Sequence, residues 1–543
     1  FKIPVRDTNA YTRVGGIRNF KSIRFARMYL TGFKDETYLR FAAFNLVRGE
    51  WRNYSKELYP AGVTPTSKGQ LDVQAVNIEE NAARSPINYV LPPGVSRQTT
   101  PGQMQMLAQN EQAMVLRVHE LAPQDARAVY KTTSYDMRQY KRLQMFVHAE
   151  QLPEEDINLH DGDLAVFIRL GSDMKNNYYE YEIPVDLTEE GLYNGNNEQD
   201  RWKVWPRDNM FDFDFEVLTN AKLARNRAKH SGNSTVSNTT PYTIYDDDSG
   251  KPRNRITVMG NPSLGEVDNI MIGVRNKGNV QHAGEIWVNE LRMSQFNEDG
   301  GVAAMANVAL GISDIAQVNV AGQLETAGFG SIESNVLDRN LDNTYNISVS
   351  AALEAGRLFP EQAKLQIPLY FAYTNNTSSP EYDPLDTDIK LNETLDTYET
   401  KQEKDSIKDM SNTVQESTNF SLSNFKVNIK SKKKDMFYDP ANFSISYSQT
   451  QQNRHTPELE KELQKEQRGS FNYSYNFNPK PWEPFKNVKS VQKLKWISEL
   501  NLYYLPQSWA FTTDMSRTFS HMKMRDFNSY DAGSSNMDLT YSK

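Results

Sequence analysis

From about residue 300 onward, apolar and polar residues alternate along the chain. Tyr345-Asn-Ile-Ser-Val-Ser-Ala-Ala-Leu353 and Phe471-Asn-Tyr-Ser-Tyr-Asn-Phe477 are representative. A period of two gives a strand one apolar and one polar face. Strands are predicted over 303–312, 315–326, 343–354, 363–374, 417–430, 441–452, 468–478, 495–505, 507–520 and 537–543. Most have the length of a tilted membrane strand, about 9–11 residues. Short connections near 313–314, 355–362 and 431–440 alternate with longer ones at 327–342, 375–416 and 453–467. Short periplasmic turns and long external loops have that arrangement in outer-membrane barrels, which places 375–416 outside the cell and 431–440 in the periplasm. Thr456 before Pro457 suits the start of a short helix within 453–467. The alternation of turn lengths fails at Leu505-Pro-Gln-Ser508, which asks for a further strand between 479 and 495. About ten strands do not close a barrel, and open edges are not tolerated in lipid, so the chain reads as a piece of something longer.

Before residue 300 the texture is that of a turn-rich β-sandwich. Candidate strands are Ala113–His119, Arg142–His148, Leu164–Arg169, Tyr178–Ile183, Ile270–Val274 and Ile286–Met293, with a helix over Leu218–Arg227 and a polar loop over Ser231–Thr240. Turns such as His160-Asp-Gly-Asp163 separate them. An ungapped repeat at a constant offset aligns Phe20, Ile23, Phe25, Leu39, Phe41, Phe44 and Leu46 with Val267, Ile270, Ile272, Ile286, Val288, Leu291 and Met293. Each copy is expected to be a hairpin ending a similar sandwich. Four regions follow: 1–50, the end of one sandwich; 51–110, an extended linker; 111–297, a jelly-roll or galactose-binding-like sandwich; and 300–543, transmembrane β-barrel strands.

Composition narrows the class. No apolar run approaches the roughly 20 residues of a membrane helix, while half of every barrel strand is allowed to be polar. The net charge of −8 argues against nucleic acid as a partner. The absence of cysteine removes disulfides and thiolate chemistry. Glu285-Ile-Trp-Val-Asn-Glu290 resembles the paired-carboxylate strand of sandwich-fold glycosidases. Five positions along a regular strand reverse the face, however, so a bulge is required. Trp287 stands where a central Asp is usual, and the repeat has Tyr38 and Ala43 in place of the two glutamates. The histidines at 119, 148, 160, 230, 282, 455 and 521 lack metal-ligand spacing. Asp161 with Asp163, and Asp246 to Asp248, are acidic turns without a full calcium-loop pattern. Lys430, Lys432, Lys433 and Lys434 crowd a strand end, facing either solvent or lipid phosphates. No catalytic, cofactor or metal site is therefore expected. A surface glycan-binding adhesin and a glycosidase using Glu285 and Glu290 stay open at this level.

Longer motifs point to a family. Gly16-Ile-Arg-Asn-Phe-Lys-Ser-Ile-Arg-Phe-Ala-Arg-Met-Tyr-Leu30, Asn88-Tyr-Val-Leu-Pro-Pro-Gly94, Tyr140-Lys-Arg-Leu-Gln-Met-Phe-Val-His-Ala-Glu150 and Ile286-Trp-Val-Asn-Glu-Leu-Arg292 resemble the SprA/Sov family. Those proteins are outer-membrane translocons of the type IX secretion system of Bacteroidota, tied also to gliding motility. The likeness is dense over 14–300 and looser beyond. It implies a very wide barrel passing folded cargo with C-terminal signal domains, a PorV-like barrel docked at its side, a periplasmic plug protein and an outer-membrane location. The polar alternates Asn346, Ser348 and Ser350 are then expected on a lumen wall.

Overall fold

The structure is a computed structural model. It describes residues 12, 14, 27–39, 50–60, 63–64, 69–97, 108–230, 236–247, 249–333, 335, 338–432, 435–477, 479–486, 495–525 and 537–542. The chain divides into two compact units, Phe1–Glu50 and Trp51–Lys543. In the first, Arg27–Leu39 carry no regular secondary structure. The rest of the first repeat copy lies outside the described residues.

In the second unit twelve strands build a sandwich: β1 (Arg52–Asn53), β2 (Gln70–Asn77), β3 (Gln112–Leu121), β4 (Ala126–Tyr135), β5 (Tyr140–Gln151), β6 (Leu164–Gly171), β7 (Tyr178–Pro184), β8 (Phe211–Asp214), β9 (Tyr242–Asp246), β10 (Lys251–Met259), β11 (Val267–Asn276) and β12 (His282–Phe296). One sheet has the order β1-β4-β11-β6-β7-β10-β9 and the other β2-β3-β12-β5-β8. Alternate residues of both inner faces, among them Leu116, Val147 and Ile286 against Val166, Ile168 and Ile272, form one core. The short helix α1 (Glu198–Val204) brings Val204 and Trp205 onto the outer side of the five-stranded sheet. The expected helix forms as α2 (Glu216–His230).

Two expectations change here. The second repeat copy does have strands on either side of a polar turn, but they do not pair. β11 lies between β4 and β6, whereas β12 lies between β3 and β5, so the segment arches from one sheet to the other. Both strands are apolar at alternate positions because both face the same core. Nor do the described residues of 51–110 run as a free linker. β2 pairs with β3 along its whole length, and Ile87, Tyr89 and Val90 are buried against Trp205 and Trp287. Prolines 86, 92 and 93 stop strand formation there without stopping burial.

The remaining strands form a separate ten-stranded antiparallel sheet: β13 (Ala303–Ile312), β14 (Ala316–Glu325), β15 (Asp342–Glu354), β16 (Leu365–Gln366), β17 (Pro368–Pro380), β18 (Thr413–Val427), β19 (Phe443–His455), β20 (Leu459–Asn476), β21 (Ser508–Met524) and β22 (Met537–Ser542). Its order follows the chain, with β13 and β22 at its edges and β16 added beside β18. Residues 297–302 join the sandwich to the start of β13. That end of the sheet, with loops 326–341, 381–412 and 456–458, is the near end. The far end carries 313–315, 355–367, 428–442 and 477–507.

The helix expected after Thr456 is instead a hairpin continuing into β20. Thr456 and Leu459 exchange backbone hydrogen bonds of 3.0 and 3.1 Å around Pro457-Glu458. The same Thr-Pro pair that suits a helix start also suits a β-turn with Pro at its second position. Pairing of Leu459–Gln467 with β19 and β21 overrides the helical preference of its Glu, Lys and Gln. The strand expected over 495–505 is absent. A short helix, α5 (Lys495–Ser498; α3, Leu391–Asp396, and α4, Lys401–Ser411, precede it in the 381–412 loop), and an isolated bridge between Trp482 and Leu502 lie in the connection. Among the described residues no further strand stands between β20 and β21, which pair directly; residues 487–494 lie outside them. The loop-length rule consequently gives no orientation. The tight turn 456–458 shares the near end with the long 381–412, and the long 477–507 shares the far end with 428–442.

Candidate functional site: a two-faced wall and its anchorage

The register fixes what each face of the ten-stranded sheet presents. One row across it is Leu310, Val318, Ala351, Phe371 and Phe420, which then passes into Gln449, Gln467 and Arg517. The adjacent row, on the opposite face, is Ala309, Asn319, Ser350, Ala372, Asn419 and Thr450. Asn346, Ser348 and Ser350 all lie on this second face, opposite Asn376, Thr374 and Ala372, while Ile347 and Val349 lie on the first. The polar face is rich in serine: Ser421, Ser446, Ser448, Ser470 and Ser516 line one shallow depression with Arg468 and Asp514.

The apolar face is a band, not a whole surface. Toward the far end it continues through Leu353, Leu369, Leu422, Phe443, Ile445, Tyr473 and Phe511. Toward the near end the same face turns polar. Glu416 accepts hydrogen bonds from Tyr373 at 3.2 Å, Asn375 at 3.3 Å and Asn453 at 3.4 Å. Strands lengthen from 10 residues in β13 to 18 in β20, and much of the added length is polar on both faces. A carboxylate set among amides marks where an apolar surrounding must end.

The sandwich candidates are committed elsewhere. Glu285 is buried opposite Glu150, held by Arg84 at 2.9 Å, by Arg117 and by the indole N–H of Trp287 at 2.7 Å. Burial raises the Glu150 carboxyl, but hydrogen bonds from His148 and Arg84 outweigh it and hold it below its ordinary range. The bulge required beside Glu290 exists, between Asn289 and Arg292, and Glu290 sits there at φ 55°. It pairs weakly with Arg292 at 4.0 Å and stays half-exposed. Asp161 and Asp163 cap backbone N–H groups of Leu187 and His160, and Asp246 accepts from Tyr181. Asp248 lies outside the described residues. Among the described residues no three His, Asp or Glu side chains are grouped to hold a metal. His119 meets Glu155, His148 meets Glu150 and His282 meets Asp156, in three separate places. Lys430 pairs with Asp435 at 2.9 Å and Lys432 is exposed; Lys433 and Lys434 lie outside the described residues.

Two features had no signal in the sequence. On the outer face of the seven-stranded sheet Arg169 and Arg275 enclose Glu180, while Arg255 and Lys277 reach Glu182. Burial raises the Glu180 carboxyl, yet the two guanidinium groups prevail and bring it down to about 2. The second is a tether from the wall. Between β17 and β18 the near-end loop, which carries α3 (Leu391–Asp396) and α4 (Lys401–Ser411), lies against the sandwich. Asp388 accepts from Lys222 Nζ at 2.9 Å, Tyr179 Oη at 2.6 Å and the Leu264 N–H at 3.0 Å. The side chains of Lys222 and Asp388 are both fully buried. Asn226 donates to Asp386 at 3.0 Å, Ser263 meets Thr387 at 2.7 Å, and Arg138 stacks over Tyr382 at 4.7 Å. Acidic residues scattered through a polar loop look solvated in sequence. Only the fold supplies Lys222.

A sandwich tied by a buried ion pair to a broad sheet with one apolar and one polar face defines an all-β protein built around a two-sided wall. The chain belongs to the SprA_N family, described as motility related/secretion protein, whose profile matches residues 1–395. The match covers the sandwich and the wall through β17, and it identifies a secretion- and motility-related family rather than an enzyme family. A search of curated proteins finds no match.

Proposed function

We propose that β13–β22 form an arc of a transmembrane β-barrel in the outer membrane of a Bacteroidota-type bacterium. In this reading the arc is part of the protein-conducting translocon of the type IX secretion system, which also supports gliding. The observation that carries it is the register: it aligns Leu310, Val318, Ala351, Phe371 and Phe420 on one face and Asn319, Ser350 and Asn419 on the other. Lipid then covers the apolar band and water the serine-rich face, which offers passing folded cargo few apolar contacts. Further strands close the barrel, since the backbone groups at the β13 edge need partners in lipid. Following the resemblance, a PorV-like barrel, a periplasmic plug protein and cargo with C-terminal signal domains are the partners, and no residue acts as a catalyst. The sandwich sits at one mouth of the conduit, held by the Asp388–Lys222 tether.

Single cysteines at Val349 and Ser350 test this. A lipid-soluble thiol reagent is expected to label Val349→Cys and spare Ser350→Cys, and a water-soluble one the reverse. Equal labelling of both positions, repeated at Val320 and Asn319, would end the reading.

A further inference from the structure

The two ends of the wall differ in charge and in aromatic content. The near-end loop 381–412 has ten acidic residues against four lysines. In sequence the segments of the far end are basic: 428–442 has four lysines against two aspartates and 477–507 five lysines against two glutamates, with Lys433, Lys434, Lys489 and Lys493 outside the described residues. Exposed rings accompany those lysines: Phe437 at 60%, Tyr438 at 59%, Trp482 at 57% and Trp496 at 71%. The turn that carries Lys430 and Lys432 is prebuilt. Buried Asp439 accepts from the Ser431 N–H at 3.2 Å and the Met436 N–H at 2.8 Å, and Asn442 donates to the Met436 carbonyl at 2.7 Å. Tyr473 and Tyr475 on β20 reach over to the Phe437 and Asp435 carbonyls at 2.9 and 3.0 Å, fixing the turn against the wall. Beneath it an aromatic ladder, Phe471, Phe443, Tyr473 and Trp509, closes the far edge of the apolar band, with ring centroids 5.0–6.1 Å apart.

We propose that this far-end rim is a docking surface for the net-anionic lipid headgroups of one leaflet. Lys432 and Lys480 would face phosphate, beside Lys430 and Lys486, which are paired with Asp435 and Glu483, with Phe437, Tyr438, Trp482 and Trp496 at headgroup depth. The proposal rests on the barrel reading and adds to it a lipid class and a leaflet-facing end. Its physical basis is the coincidence of three features at one end only: the apolar band terminates there, rings amphipathic or apolar stand exposed there, and the positive charge lies there. At the near end the band instead gives way to polar side chains around Glu416, and the longest loop there is acidic. Lysines close to an anionic surface each contribute about 1 kcal/mol, roughly fivefold in local lipid enrichment at full effect.

The test uses the full chain reconstituted in phosphatidylcholine vesicles that contain an equal minor share of brominated lipid, either phosphatidylglycerol or phosphatidylcholine. Trp482, Trp496 and Trp509 are the only tryptophans of the wall half, the other four lying at 51, 202, 205 and 287. Quenching is expected from both brominated lipids, and at least about twofold more from phosphatidylglycerol at low salt, the preference fading as salt rises. The triple variant Lys430→Gln, Lys432→Gln, Lys480→Gln should keep quenching by phosphatidylcholine and lose the preference. Lys404→Gln with Lys408→Gln, at the near end, should keep both. Equal quenching by the two lipids in the unaltered chain, or a preference that survives the triple variant, overturns the headgroup assignment and leaves the barrel standing. No quenching by either lipid overturns the barrel reading and the rim with it.

Discussion

The sandwich and the wall are both antiparallel and both alternate apolar with polar residues, yet they hide opposite things. In the sandwich Leu116 and Ile286 are fully buried between two sheets. On the wall Val308 and Leu310 are more than half exposed on a single sheet, with no second layer over them among the described residues. The sandwich also buries charge, as Glu180 with Arg169 and Arg275 and as Lys222 with Asp388. The wall leaves its ion pairs open to solvent, at a turn as with Lys430 and Asp435 or mid-strand as with Arg468 and Glu466. A protein that gathers its own apolar surface completes itself in water. One that presents an apolar band on a single exposed face relies on its surroundings to cover it. The contrast shows that alternation sets which residues share a face, and that only a second layer, or its absence, decides what that face meets.

The sharpest way to break the comparison is at the one place where the regions share a buried charge pair. Lys222→Ala should destabilise the sandwich by about 3–5 kcal/mol, because Asp388 is left buried without its cation, only Tyr179 Oη and the Leu264 N–H still donating to it. Replacing both residues with apolar ones of similar size should recover most of that loss. Denaturant unfolding followed by emission of the buried Trp205 and Trp287 reads it. A loss under about 1 kcal/mol for the single variant would mean that the tether is not closed.

Next in size is a contrast within the wall. Val349→Lys should cost about 2–4 kcal/mol in a lipid-reconstituted chain, whereas Ser350→Lys, one residue along and on the other face, should cost under about 1 kcal/mol. Refolding titrations into vesicles measure both. Equal costs would make the two faces alike and remove the distinction from the sandwich.

A smaller effect separates the two glutamates. Glu285→Gln should cost about 2 kcal/mol, since it weakens charge-assisted bonds to Arg84 and Arg117 in a buried place. Glu290→Gln should change stability by less than about 0.5 kcal/mol. Secretion should persist in any variant that still folds. Loss of a glycan-cleaving activity in the folded double variant would instead restore the glycosidase reading.

The mildest test is acid. The Glu180 carboxyl is depressed from an ordinary value near 4.5 to about 2 in the folded chain. The unfolded chain therefore binds the extra proton between those values, and the stability that the Glu180 cluster supplies is present above about pH 4.5 and lost as pH falls toward 2. Sandwich tryptophans should report unfolding across that window while Trp509 at the wall's far edge changes little. Simultaneous loss of both signals would show that the regions unfold as one.

Period-two patterning fixed the existence of the wall strands, most of their bounds and the face on which Asn346, Ser348 and Ser350 lie, because a strand's side chains have nowhere else to point. Long motifs carried the family, since they bind together a core face, a turn and its flanks. Local sequence did not determine Leu459–Gln467, where helix propensity and strand pairing disagree and the neighbours on both sides settle the matter. It left the repeat's two strands free to pair or to part; β4, β6, β3 and β5 took them into different sheets. Nor does it show that Ile87, Tyr89 and Val90 are core or that Asp388 meets Lys222 across 166 residues. Burial and charge pairing depend on what the rest of the chain brings alongside, and that is a property of the tertiary structure alone.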